Sequence, residues 1–524
     1  MIKDGIKDDK MALRWLRFFV LFFSGGVASC VVACKIFSRV HIDLDSEHLS
    51  VINVFPYSII GLLILLPLLF GMIRLLESIK EHTLFILMVL FHLLAGLVLV
   101  FFSEPSLSGD PNMIFSYVPA FLSGDYSGLD HGRYFGWYPF LLGNLLYEML
   151  VAHFSSSVRM LFFFNLLFLL LSDFLIWHIL QTVFPQGNKR FRKSFLLLLA
   201  LFFPILLLIL YVYGVLQGVF FSLLAIHLIL KTQSARKNKL LYFILSTFSF
   251  FLSFLFKNNF LLIILAVSLV LFLFFLQDKK LSYLLMALIL PCFVFLLHNL
   301  FFYVCHLAFH TDIGPGAPPQ LLIAMGLQEG ATPLRNGWYN GFNFEVYAET
   351  GFDYDASVQI ANANIMRSIS VFLSSPEKAG VFFGYKFLST WNEPTFQSVS
   401  LGPAAWSAGT SENVILGSLY EGDRLYWLYE RYMGFYTLLF FSLLICAIIR
   451  RCRSPIENPW HLFPMIYYAG ATVFHLIVET RSIHACYPVL FLIPTVAYGL
   501  SDLYELIYTK APKWINLKKR YSAS

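Results

Sequence analysis

The sequence predicts an all-α polytopic membrane protein of about 12 transmembrane helices with a mixed, mainly helical extracytoplasmic cap. Three observations carry this. Hydrophobic residues make up 58% of the 524-residue chain, charged residues only 13%, and mean hydropathy is +0.71. An ordinary soluble domain carries about 25% charge, and a soluble chain this apolar lacks the polar groups to cover its surface. The apolar residues come in unbroken runs of roughly 18–25, the length that carries a helix across a hydrocarbon core of about 30 Å. They do not alternate with polar residues as the strands of a membrane barrel do. Finally, Lys and Arg collect in the short gaps between the runs.

The runs fall at about 16–36, 51–73, 83–102, 160–183, 194–213, 214–231, 240–256, 260–277, 281–304, 431–449, 460–478 and 484–505. The basic gaps set their orientation. Lys10, Arg14 and Arg17 precede the first run, and clusters recur at Lys189–Lys193, Arg236–Lys239, Asp278–Lys280, Arg450–Arg453 and Lys518–Arg520. Placing every cluster inside leaves both termini cytoplasmic, as the positive-inside rule requires. Residues 138–154 are apolar enough to insert. Counting them as a crossing puts five basic clusters outside, so they are read as a juxtamembrane or re-entrant helix. Four regions follow: an N-terminal pair of spans (1–82), a transmembrane core (83–304) with a first external loop at 103–159, an extracytoplasmic cap (305–430), and C-terminal spans with a cytoplasmic tail (431–524). The cap is too long to be a connection and is rich in Gly, Pro, Trp, Tyr and Asn.

The positive charge, +6 overall, is a loop bias and not a nucleic-acid patch. The seven cysteines form no C-x-x-C pair and read as small buried hydrophobes. His131 and His310 lack neighbours at ligand spacing, so neither a metal nor a cofactor is expected. No Asn-x-Ser/Thr acceptor occurs, which favours a bacterial plasma membrane.

Chemistry has few places to sit. Asp110 follows a span directly, in Ser108-Gly109-Asp110-Pro111, where a carboxylate can be partly desolvated and tuned as a general base. A turn or helix-start Asp fits the same residues. Asp125, Asp130, His131, Arg133 and Tyr134 form either a sugar-binding cluster or a solvated loop. Lys257, in Lys257-Asn258-Asn259, breaks a hairpin of spans on the outer side, against the usual basic-inside bias. It suits a lipid phosphate, and equally a snorkelling turn. Glu479-Thr480-Arg481 is the only gap between the last two spans. The pair can close on itself, or Arg481 can present its fork to a phosphate. Trp391-Asn392-Glu393-Pro394 and Gly337-Trp338-Tyr339-Asn340 place aromatic faces beside amides, which suits a sugar ring or the core of the cap.

In their order along the chain these positions resemble the GT-C superfamily of polytopic glycosyltransferases, which includes the protein O-mannosyltransferases, the lipid A aminoarabinose transferase and bacterial relatives that decorate cell-wall polymers. The match runs from Asp110 through Tyr138-Pro139, Phe203-Pro204, Tyr213-Gly214 and Lys257-Asn258-Asn259 to Glu479-Thr480-Arg481, with Pro488 and Pro494 in the last span. Met325-Gly326-Leu327, Gly337–Asn340 and Lys386 through Pro394 look like a subgroup common in Gram-positive bacteria. The resemblance covers the chain from about 83 onward. Departures exist: Asp110 is followed by Pro111 where many relatives pair two acids, and Val215 and Leu216 stand where relatives carry an acid.

The resemblance implies an inverting transfer of a sugar from a polyprenyl-phosphate donor to a cell-envelope glycan acceptor on the outer face of the plasma membrane. Asp110 would be the base, Lys257 and Arg481 would bind the donor phosphate, and Asp130, Tyr138, Trp391, Glu393 and Glu479 would bind substrate. Two other classes fit the residues. One is a flippase or transporter of lipid-linked sugars, for which Asp173 is the clearest intramembrane acid. The other is a polysaccharide polymerase or ligase using a diphosphate-linked donor.

Overall fold

The computed structural model describes residues 2–44, 47–403, 413–452 and 458–510. Arg453 and the basic tail Lys518–Arg520 lie outside the described residues, as does part of the expected cap, 404–412. The described chain is almost wholly helical. Its one sheet is a two-stranded hairpin of β1 (Ser38–Ile42) and β2 (Leu49–Asn53), antiparallel with Val40 opposite Val51.

Among the described residues ten helices are long and apolar enough to cross a membrane. They are α1 (from Leu13 to Phe37), α2 (Tyr57–Leu75, extended to Ser78), α3 (Glu81–Phe102), α7 (Val158–Val183), α10 (Val215–Ser234), α11 (Lys239–Phe256), α12 (Leu261–Asp278), α13 (Leu281–Phe309), α19 (Arg424–Cys452) and α21 (Ile483–Glu505, extended to Tyr508). A bent pair, α8 (Lys189–Ala200) and α9 (Phe203–Leu207, extended to Leu210), makes eleven if counted as one span. The protein is a multi-pass membrane protein. Large apolar side chains such as Leu63, Ile64, Leu94 and Phe101 face outward, as only a lipid environment accommodates. The last helix is the axis of the bundle, with 83% of its apolar window buried, whereas α13 buries 17% and lies at the edge.

Three expected spans need correction. The run at 51–73 starts later, at Tyr57, because Leu49–Asn53 is strand. The run at 194–213 is not one helix. Pro204 has no N–H to continue the ladder, and the pair α8 and α9 bends by 47° across the break. The run at 460–478 is a 3-10 turn (Pro459–Leu462) followed by α20 (Phe463–Ile477), only 15 residues long. The apolar stretch near 138–154 forms a short helix, α6 (Leu142–Ala152), entered through a 3-10 turn from Pro139. Those 14 residues reach about 21 Å, less than the apolar thickness of a bilayer.

Non-helical backbone inside a bundle must find partners within the protein. Here Asn165 of α7 supplies them. Its side-chain amide donates to the carbonyls of Ile209 (2.9 Å) and Tyr211 (3.3 Å), and Gln217 donates to its oxygen at 2.8 Å. The unwound stretch 211–214 is thereby held at one end of the bundle.

The basic gaps gather at the opposite end. Lys193 donates to the carbonyls of Leu76 and Glu77, both at 2.7 Å. Arg190 pairs with Glu77, Arg192 with Glu81, and Arg450 with Asp502. At the first end sit the hairpin, α4 (Gly109–Leu122), α5 (Tyr134–Trp137), α6 and the segment between α13 and α19. That segment holds α14 (Pro319–Gly326), α15 (Phe342–Glu349), α16 (Tyr354–Ser374), α17 (Pro376–Trp391) and α18 (Val414–Tyr420). It seats on the rest through Ala317 N–H to Trp137 O (2.9 Å) and Asn343 to the Tyr138 hydroxyl (3.2 Å).

The two ends give a sidedness prediction. With native cysteines removed, Ser127→Cys and Lys237→Cys, both at exposed positions, react with a membrane-impermeant maleimide from opposite sides of the membrane; labelling of both from one side contradicts this layout.

Candidate functional site

Asp110 stands in the first turn of α4, just beyond the end of α3. Both carboxylate oxygens accept phenolic protons: Oδ1 from Tyr134 at 2.9 Å and Oδ2 from Tyr213 at 3.0 Å. Burial pushes the Tyr134 phenol well above its ordinary range, and the Asp110 charge adds to this, so it stays a donor at neutral pH. Asp110 is nevertheless an exposed residue.

Tyr213 is placed by the chain around it. Gly214 has φ +72°, a left-handed conformation that favours glycine. A Cβ there would lie 2.3 Å from the Phe256 carbonyl oxygen and 2.6 Å from Asn144 Oδ1. Asn144 also donates to that carbonyl at 3.1 Å. The end of α11 is thus pressed against Gly214, and the next residue, Lys257, projects its ammonium over the Tyr213 ring, 3.7 Å from the centroid. Burial pulls the Lys257 ammonium down to about 7, although Asp110 and Glu479 act to keep it charged; Arg481 acts the other way. All four groups therefore share one electrostatic neighbourhood.

Arg481 bridges two carboxylates. It lies 3.7 Å from Glu47 and 3.8 Å from Glu479, with its guanidinium 5.9 Å from the centre of the Trp338 ring. Arg335 reaches the other Glu47 oxygen at 3.9 Å. Despite burial, Glu47 and Glu479 hold Arg481 above its ordinary value, while burial raises the Glu479 carboxyl. The short gap carrying Glu479 and Arg481 is clamped from above. Glu479 N–H donates to Leu322 O (3.2 Å) and Thr480 N–H to Gly337 O (2.9 Å). Lys386 donates to the carbonyls of Gly326 and Val478. Gly326 and Gly337 permit the close approach, since a Cβ on either would strike backbone at about 2.5 Å.

The structure thus places Asp110, Lys257 and the Glu479–Arg481 gap, three segments far apart in sequence, in one electrostatic neighbourhood. Tyr138 borders them, its ring 5.5 Å from that of Tyr134 and its hydroxyl bonded to Asn343. Two other expected residues, Trp391 and Glu393, do not join them. Trp391 is buried in the bundle against Phe441 and Tyr468, because it ends a helix whose last turn faces inward. Glu393 is wholly buried and accepts four hydrogen bonds, from Thr395 N–H and hydroxyl, Gln397 N–H and the Ser482 hydroxyl. Its oxygens are saturated, and its work is to anchor the turn before α21. Asp130 is exposed at the end of a 3-10 turn. Sequence reasoning missed Glu47, Arg335 and Asn343. The alternation of Arg39-Val40-His41-Ile42 signalled the first strand of the hairpin that delivers Glu47, but its second strand merged with a neighbouring apolar run.

The chain matches no model of a known protein family, and no characterised protein matches it.

The tight fit at Gly214 is testable. Gly214→Ala places a side chain against Phe256 O in a left-handed backbone and costs about 1–3 kcal/mol. Gly384→Ala, where nothing lies within 4 Å, raises stability by about 0.5–1 kcal/mol. Melting of both variants in detergent separates them; equal behaviour contradicts the packing described.

Proposed function

We propose that this protein is an inverting glycosyltransferase that moves a sugar from a polyprenyl-phosphate donor to a cell-envelope glycan acceptor on the outer face of the plasma membrane. One observation carries the reading: a carboxylate held by two phenols shares its neighbourhood with a half-buried lysine and a clamped arginine, at the end of the bundle away from the basic gaps. The donor's lipid tail would lie among the helices, so its phosphate would arrive at this rim.

Each residue then has a task. Asp110 takes the proton of the acceptor hydroxyl as that oxygen attacks the anomeric carbon. The phosphate monoester leaves with the electron pair of the broken C–O bond, and Lys257 and Arg481 stabilise its growing charge. One displacement inverts the anomeric centre. Tyr134 and Tyr213 fix the carboxylate so that an unshared lone pair faces outward. Tyr138 and Tyr339 offer aromatic faces to sugar rings, and the buried Asn343 amide holds the Tyr138 hydroxyl. The helices above Glu479 limit water, which would otherwise consume the donor.

A second reading, a transporter of lipid-linked sugars, has one observation in its favour. His92 and Asp173 form a 2.8 Å pair buried inside the bundle, the kind of intramembrane charge that proton-coupled carriers use. A polymerase or ligase differs in using a diphosphate-linked donor.

In reconstituted vesicles supplied with a polyprenyl-phosphate sugar, Asp110→Asn lowers transfer by roughly 100- to 10,000-fold with normal membrane insertion; unchanged turnover removes the base assignment. Lys257→Ala weakens apparent donor affinity by about tenfold or more and leaves acceptor affinity unchanged. The Lys257 charge is present below about 7 and lost above it. Activity at limiting donor therefore falls as pH rises through that value, and Lys257→Arg abolishes the fall. A profile identical in wild type and Lys257→Arg contradicts the phosphate role.

A further inference from the structure

Away from Asp110, a second group of cations faces a narrow, open crevice. Its walls are the last turn of α1 (Lys35), the start of β1 (Ser38, Arg39), the start of α2 (Ser58), the 392–394 turn and α19 (Arg431, Gly434). Lys35 is only 5% exposed, and its ammonium has no hydrogen-bond partner. Arg39 pairs with Glu430 at 3.2 Å through one terminal nitrogen, yet its buried Nε is also unpartnered. Arg431 is exposed at the same crevice and forms no ion pair among the described residues.

The nearby carboxylates do not answer this charge. Glu430 is shared between Arg39 and His41, the latter at 2.8 Å. Glu393 acts on Lys35 electrostatically but lies beyond ion-pair distance, and its oxygens are filled by Thr395, Gln397 and Ser482. A buried ammonium without a partner is costly and is normally paid back by an anion. Two buried N–H donors plus an arginine fork at the mouth fit the several oxygens of a phosphate. The crevice lies where the span α1 ends and the span α2 begins, the level at which a bilayer would present its head groups.

We infer that the crevice bounded by Lys35, Arg39 and Arg431 is a binding site for a phosphate group, supplied by the head group of an anionic membrane lipid. The inference stands independently of the glycosyltransferase reading. It gives the N-terminal helix pair a role of its own. The lipid phosphate would cross-brace α1, α2 and α19 at the 392–394 turn, whose Glu393 holds Ser482 beside Arg481.

The test is thermal unfolding of the full chain in detergent, with added phosphatidylglycerol, phosphatidylcholine or inorganic phosphate, together with native mass spectrometry of retained lipid. Phosphatidylglycerol raises the melting temperature of the wild type and is retained in preference to phosphatidylcholine. Lys35→Met melts higher than wild type without lipid, because it removes an unpaired buried charge, and loses the lipid-dependent rise. Arg431→Gln, exposed and so harmless to folding, weakens phosphatidylglycerol retention by about tenfold. A rise with inorganic phosphate as well identifies a site that reads the phosphate alone; a rise with phosphatidylglycerol only identifies one that needs the lipid. Equal effects of phosphatidylglycerol and phosphatidylcholine on the wild type, or an undiminished phosphatidylglycerol effect in both variants, overturns the inference.

Discussion

Tyr213 sits between the two opposite charges on which the site depends. Its hydroxyl donates to Asp110, and its ring carries the Lys257 ammonium. A carboxylate and an ammonium at the rim of an apolar bundle gain by direct pairing, which would leave neither free to meet a substrate. The phenol keeps them apart while it satisfies one and stabilises the other through the ring's negative face. Everything that positions Tyr213 is therefore part of the site: the break at Pro204, the Asn165 amide that holds the unwound carbonyls, and the contact between Gly214 and Phe256.

The second cation is handled differently. Arg481 is held by Glu47 and Glu479 and lies beside Trp338, and its backbone is pinned by segments that follow α13. This gives a fixed fork with one face engaged. The contrast with Lys257 is chemical. A lysine whose charge is tuned by burial responds to pH and to an arriving anion, whereas a guanidinium keeps its charge throughout. The hairpin after α1 joins the two halves, because its turn supplies Glu47 and its strands pack Val40, Ile42 and Leu49 against Trp338.

Much of this was legible in the sequence. Continuous apolar runs gave the helices, and the basic gaps at 189–193 and 450 lie among acidic partners at 77–81 and 502 at one end of the bundle. The order of Asp110, Lys257 and Glu479-Thr480-Arg481 pointed to residues that act on one another electrostatically. What escaped was non-local or masked by apolarity. Residues 194–213 read as one hydrophobic span because hydropathy does not register an unwound turn stabilised by Asn165 from another helix. Strand β2 was absorbed into the run behind it. Trp391 and Glu393 carry the composition of a sugar site, but their direction depends on how α17 enters the bundle, and it points them inward.

Under the proposed function, a lipid-linked phosphate would be received between Lys257 and Arg481, with Asp110 facing the anomeric carbon. A cryo-EM structure of the full chain in lipid with a bound polyprenyl-phosphate sugar tests it most directly. The account predicts phosphate density contacting both cations, with the sugar turned toward Asp110 and its lipid tail running down between helices. Phosphate density at the opposite end of the bundle, or remote from both side chains, would contradict it.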